Sequence, residues 1–576
     1  MSLAPELRAD DVRPPEEPRA RGALLGREEP GMADLPLRLA VAGDAAAGDV
    51  TAGDAKTLPA AGRSRRGGRG RAPFWLLAAA AVPVFLVALP ILYVLARGWE
   101  AGLAAALALL LRPRSAELLA NTLALALAVT GLSIVIGTAC AFLIERCALA
   151  GRGLWRTLVC LPLAVPAFVS SYAWASLGPS FQGLGGAILI LTLSHFPLIY
   201  LPAAAALRRM DTRLEDAARS LGETAPRALR RVVLPQIRPA LAAGGLLVMS
   251  HMLAEFGALS LLRVQTFTTA IFQEYELQFN SANAALLSGV LMALCLPVAF
   301  GEAWVRRDQR LARADRRSRR EPPLLPLGRV QLPAQLGLAL LAAAALGVPL
   351  GMLGYWLTVG LSAGAGAAGL LRAIAGSLQL SLGGAALTTL LALPLVLLAT
   401  RFGTRFAPLL ERLPYVVHGL PGLVVALALI FGAIRLVPAL YQTTALVFVA
   451  YAILFLPLAQ SALRATAELV PAELEQAART LGRGPLAAFA AVTLPALAPG
   501  LGAGMALIVL ELMRELTATL LLAPSGVSTL ATEVWSYTND GSYAAAAPYA
   551  ALLVLVSGLP VYVFTLRTLK QGRRGA

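Results

Sequence analysis

Two carboxylates, Glu255 and Glu515, stand 260 residues apart, each near the end of an apolar stretch. Ionisable side chains in such places are costly and usually face a pathway or one another. A pair of them would suit a hard cation, which prefers oxygen ligands. Glu511 lies one helical turn before Glu515 and could share its face. A plain structural role is equally open: Glu515 could pair with Arg514, or cap a helix end. His195, in LSHFPL, is a weaker candidate, because a lone histidine in an apolar helix more often makes a helix–helix hydrogen bond. His251 and His418 read the same way, and Tyr275 and Trp535 read as interfacial or docking-face aromatics. The four cysteines form no C-x-x-C pair, which argues against a zinc site or a disulfide framework. The lysines are Lys56 and Lys570, and neither lies in a G-x-x-x-x-G-K-[S/T] phosphate loop. We therefore expect no catalytic residue, no resident metal and no cofactor.

A longer pattern is written twice. LEDAARSLG runs from Leu214 to Gly222 and is followed by VVLP ending at Pro235; LEQAARTLG runs from Leu474 to Gly482 and is followed by VTLP ending at Pro495. Leu214, Ala217, Ala218 and Leu221 fall at i, i+3, i+4 and i+7, one apolar face of a short helix; Leu474, Ala477, Ala478 and Leu481 repeat it. The alanine pairs leave a shallow surface that another protein could approach closely. Gly222 and Gly482 sit where a helix end needs positive φ. Pro235 and Pro495 stand before the next apolar run, where proline helps start a helix.

The elements that must carry these motifs are membrane spans. Of 576 residues, 57% are hydrophobic and 14% charged, and the mean hydropathy is +0.70. Twelve apolar runs, near 74–96, 119–144, 155–177, 184–207, 239–262, 284–304, 334–359, 373–400, 413–434, 443–463, 499–522 and 546–566, are each long enough to cross a bilayer core of roughly 30 Å. The net charge of +16 is almost all arginine. It clusters in loops on one side of the spans, at 145–156, 208–238, 305–333, 401–412 and 464–498, so the membrane accounts for it better than nucleic acid does. That side is the expected cytosolic one, with both termini inside. The expected domains are a disordered cytosolic tail at 1–72, a first six-span half at 73–304, a basic linker at 305–333, a second six-span half at 334–567 and a cytosolic tail at 568–576. Pro197 and Pro457, and Thr269 and Thr529, also repeat at 260, while Pro166 and Pro421 repeat at 255. The halves thus form a parallel repeat, an arrangement that places a pathway at its interface.

The repeated pattern resembles the EAA loop of the permease subunits of ABC importers: E-A-A, three residues, G, nine residues, I-x-L-P. Here the alanines are Ala217–Ala218 and Ala477–Ala478, the glycines Gly222 and Gly482, and the Leu-Pro ends Leu234–Pro235 and Leu494–Pro495. Asp216 and Gln476 occupy the family's glutamate position, with Glu215 and Glu475 just before them, and Val232 and Val492 replace its isoleucine. The resemblance covers about residues 74–567. It implies an all-α fold of two homologous six-helix halves, and coupling helices that dock on two copies of an ATPase subunit. It also implies a periplasmic or lipoprotein binding protein at the outer face of a bacterial inner membrane.

A single chain of two halves is similar to ferric-iron importers and their relatives for thiamine and aminoalkylphosphonates. Ala254–Tyr275 and Arg514–Tyr537 look like the corresponding segments of ferric-iron permeases. An ion-coupled secondary carrier would share the twelve spans, but the two coupling loops speak against it.

Overall fold

The computed structural model describes residues 73–208, 210, 212–312, 324–360, 367–402, 414 and 419–573. The expected tail at 1–72, much of the linker, and His418 lie outside the described residues. Every named element is helical, and the strand pairing among the described residues is one isolated bridge between Cys147 and Leu325.

The first half contains α1 (Phe74–Leu110), α2 (Pro113–Arg146), α3 (Arg152–Cys160), α4 (Ala167–Ala175), α5 (Gly183–His195), α6 (Pro197–Arg208), α7 (Arg213–Ser220), α8 (Leu234–Ala254), α9 (Gly257–Leu261), α10 (Phe267–Phe272) and α11 (Ser281–Ala312). The second contains α12 (Gln331–Ala342), α13 (Val348–Gly360), α14 (Ala367–Arg401), α15 (Gly422–Leu436), α16 (Thr444–Ala467), α17 (Ala472–Thr480), α18 (Leu494–Met513), α19 (Thr517–Leu522), α20 (Leu530–Asn539) and α21 (Tyr543–Arg573).

Among the described residues, nine helical stretches are long and apolar enough to cross a membrane. A tenth candidate is the pair Arg152–Ala164 and Ala167–Ala175, bent by 87°. The bend falls in LPLAVP, where two prolines remove backbone donors and break the helix. The shorter apolar helices Gly422–Leu436 and Tyr543–Gly558 complete the set, so each expected span has an apolar counterpart. Two expected spans end early. The runs at 239–262 and 499–522 stop as helices at Ala254 and Met513, and the chain turns before α9 and α19.

Each half is built on three packed helices: α2 with α6 and α8, and α14 with α16 and α18. Glycines let these backbones approach, since lipid supplies no hydrophobic drive and close packing must. A Cβ on Gly137 would lie 2.7 Å from Ile199 Cβ, and one on Gly504 would lie 2.9 Å from Ala462 Cβ. The opening helices tie the halves together. α1 packs on α11 of its own half and on α14 and α15 of the other; α13 packs on α21 and on α4.

The ends of the halves where α2 and α14 begin match closely. Thr266 and Thr269 form a reciprocal capping box before α10, and Thr529 and Thr532 form one before α20. The Phe267 N–H donates to Thr122 Oγ1 on α2 at 3.2 Å, and the Leu530 N–H to Ser377 Oγ on α14 at 2.8 Å. Thr529 therefore corresponds to Thr266, not to Thr269 as the 260-residue spacing suggests. The 523–529 loop shifts the register by three residues.

Candidate functional site

The repeated loops lie at the end of the bundle where α2 finishes. α7 and α17 are amphipathic, but their apolar residues point outward. Leu214 and Leu221 are 58% and 86% exposed, and Leu474 and Leu481 are 51% and 85% exposed. Asp216, Ala217, Gln476 and Ala477 are exposed beside them, Ala218 is half-buried and Ala478 buried. A short apolar ridge thus faces away from the bundle on both helices.

Gly222 and Gly482 have φ of 89° and 86°. Each helix closes with a bond reaching back five residues, from the Glu223 N–H to the Ala218 carbonyl and from the Arg483 N–H to the Ala478 carbonyl. This is the Schellman arrangement that glycine permits. A single π turn, Leu229–Val233 or Phe489–Thr493, then precedes each Leu-Pro pair. Pro235 and Pro495 have no N–H to give the normal ladder, and the wide turn absorbs the missing bond. Leu234 and Pro235 are half-buried, whereas Leu494 and Pro495 are exposed.

The inward sides of the two loops differ. Glu215 is buried and meets Arg146, the last residue of α2, at 2.6 Å; their side chains are 9% and 2% exposed. The neighbouring Glu145 is fully enclosed. It receives Arg156 through two bonds of 3.0 and 2.6 Å, Arg208 at 3.2 Å and the Tyr200 hydroxyl at 3.3 Å. In the second half, Glu475 instead accepts from Thr493 Oγ1 at 2.9 Å. The sequence reading missed Glu145, Arg146, Arg156, Arg208 and Thr493. The available signal was the Glu-Arg pair closing an otherwise apolar span, since paired charges there need partners.

The candidate path residues gather where the halves meet. The Glu255 carboxylate accepts the Ala258 N–H at 2.9 Å, and that of Glu515 the Ala518 N–H at 3.0 Å. Each closes the first turn of the short helix that follows. Both are half-buried. Gly257 faces Leu516 of the other half, and Gly422 at the start of α15 faces the Glu515 carboxylate. Glu511 is taken by Arg514, whose Nε donates to it at 2.9 Å, with the other guanidinium edge closing a second contact. Arg514 also donates to the Leu163 carbonyl in the first half at 3.3 Å.

His195 and His251 approach with ring centres 5.8 Å apart. Their Nδ1 atoms donate to Leu191 and Leu247 carbonyls one turn back on their own helices. The expected helix–helix hydrogen bond of His195 is therefore absent at Nδ1: its backbone carbonyl partner lies within reach and satisfies the donor. Trp535 packs against Phe256 and Phe272 of the first half, at 6.3 and 5.8 Å, and so belongs to the seam between the halves. Among the described residues, no three His, Cys, Asp or Glu side chains form a metal-holding group.

A family model described as a binding-protein-dependent transport system inner membrane component matches residues 60–310 and, a second time, residues 392–568. The chain belongs to that family. It is a fused permease: a multi-pass inner membrane component that carries the unit twice and works with an ATPase and a substrate-binding protein. An Fe(3+)-transport system permease protein of Haemophilus influenzae is 44% identical over 496 residues, 86% of this chain and 98% of that protein. A probable molybdenum ABC transporter permease protein of Haloferax volcanii is 33% identical over 153 residues, 25% of this chain and 57% of its own length. The sulfate transport system permease protein CysW of Escherichia coli is 24% identical over 260 residues, 42% of this chain and 89% of its own.

Proposed function

We propose that this permease carries ferric iron, delivered by a binding protein at the outer face, across the inner membrane into the cytoplasm. The observation that carries this reading is the 44% identity to the Fe(3+)-transport permease across 98% of that protein's length. That extent sets iron above thiamine or an aminoalkylphosphonate. The energy comes from ATP hydrolysed by a partner, for this chain has no phosphate loop of its own. Two ATPase copies dock on 211–235 and 471–495. The outward apolar ridges of α7 and α17 and the exposed alanines beside them support this docking. Both termini and the arginine-rich loops lie in the cytosol. Access alternates as the two halves rock about their shared seam. Glu255 and Glu515 line the path there, with Glu511 and His195 beside it. The test is labelled ferric-iron uptake in cells lacking the chromosomal copy, with and without this chain and its ATPase. Uptake that needs both, and that disappears with changes in the repeated loops, is the expected result. Stable insertion without iron uptake rejects iron and reopens thiamine or a phosphonate.

A further inference from the structure

The halves agree at the ends where α2 and α14 begin and differ at the ends where these helices finish. The capping boxes, the hydroxyls of Thr122 and Ser377 that hold them, and the Glu255 and Glu515 turns are all duplicated. At the finishing end the duplication fails at one position after another. Glu145 becomes Thr400, Arg156 becomes Glu411, Tyr200 becomes Gln460 and Arg208 becomes Glu468. Arg146 does have a counterpart, Arg401, the last residue of α14. Yet among the described residues Arg401 makes no ion pair with Glu475, and its buried Nε has no hydrogen-bond partner.

The first loop is held further from the chain between the halves. The Leu325 N–H donates to the Arg146 carbonyl at 2.8 Å, and the Ala148 N–H donates to the Leu325 carbonyl at 2.9 Å. Gln335 adds a bond to the Ala150 carbonyl at 3.2 Å. The residue that grips α7 is thus itself gripped by the connecting segment.

We propose that Arg146 is a positioning residue that makes the first coupling helix a rigid extension of α2, and that the second coupling helix is anchored more loosely. A buried ion pair transmits displacement because separating it leaves an uncompensated charge. A hydroxyl–carboxylate bond from α17 to the π turn at its own C-terminal side ties that helix, among the described residues, to the start of α18. Movement of an ATPase under α7 passes directly into α2, whereas movement under α17 passes into α18 by way of the π turn. This rests on the docking of the ATPase at the repeated loops.

The test begins with hydrogen–deuterium exchange of the full chain in lipid nanodiscs. Residues 213–220 are expected to exchange about tenfold more slowly than 472–480. Arg146→Gln and Glu215→Gln should each abolish the difference, Glu475→Gln should leave 213–220 unchanged, and the swap R146E/E215R should restore protection. Equal exchange in the unaltered chain, or protection that survives Arg146→Gln, overturns the proposal. A second arm measures iron uptake per ATP hydrolysed with the ATPase present. Arg146→Gln should lower this ratio more than Thr493→Val does, with rescue by the swap. Equal losses from the two variants also overturn the unequal roles. If exchange behaves as expected but uptake ignores every loop variant, Gly222→Trp included, it is the docking assignment that fails.

Discussion

Glu511 holds Arg514 three residues further on, and among the described residues Arg514 makes its ion pair with Glu511 rather than with its neighbour Glu515. Arg514 spends its remaining reach on the Leu163 carbonyl of the other half. The pair is partly exposed, so its direct contribution to stability is on the order of 1 kcal/mol or less. The tie between halves is the more consequential feature. Arg514→Gln is expected to leave Tm within a few degrees and to reduce uptake several-fold. Thermal unfolding in detergent together with uptake in vesicles checks this. Unchanged transport shows the cross-half tie to be dispensable.

Glu255 and Glu515 combine a structural and an ionic role, and glutamine separates the two. Its amide oxygen can still accept the Ala258 or Ala518 N–H, but it carries no charge. Glu255→Gln and Glu515→Gln should therefore insert and fold normally, and should lower uptake at least ~10-fold if the carboxylates draw the cation along the path. Alanine at either position should cost roughly 1 kcal/mol in addition, as the loss of a helix-start acceptor does. Full uptake in both glutamine variants, with loss only in the alanine variants, would assign these residues to the turn alone.

The repeated loops were legible because their signals are local. A glycine at fixed spacing demands a backbone conformation, and an i, i+3, i+4, i+7 pattern demands a face, whatever surrounds them. The early ends of α8 and α18 were hidden, because the chain stays apolar through the turn and hydropathy does not register a bend. The Thr269–Thr529 match was an accident of a constant offset carried across a loop of unequal length. The grip of Arg146 on Glu215 joins residues 69 positions apart. The sequence shows two charges there but not their partners.

The capping boxes supply a prediction at the end of the bundle remote from the repeated loops. Thr266→Val and Thr529→Val each remove a side-chain acceptor from a helix start, at a cost of about 1 kcal/mol. The two sites lie in separate halves and share no partner, so the double variant should lose the sum of the single effects. A double loss well above that sum, read from unfolding midpoints, would show that α10 and α20 are coupled across the seam.

Gly222 and Gly482 give the sharpest test of the coupling loops. A Cβ at either position would meet nothing within 4 Å, so substitution blocks no internal packing. Alanine adds only the left-handed backbone strain of roughly 1–2 kcal/mol and should weaken coupling partially. A bulky residue adds volume on the outward side, beside the exposed Leu221 and Leu481, on the face proposed to receive the ATPase. Gly222→Trp with Gly482→Trp should therefore insert normally yet abolish ATP-driven uptake, while ATP hydrolysis by the partner no longer responds to the loaded binding protein. Membrane fractionation, vesicle uptake and stimulated hydrolysis are measured side by side. Normal uptake in this double variant would reject the assignment of both loops, because a side chain at either position starts out into open space.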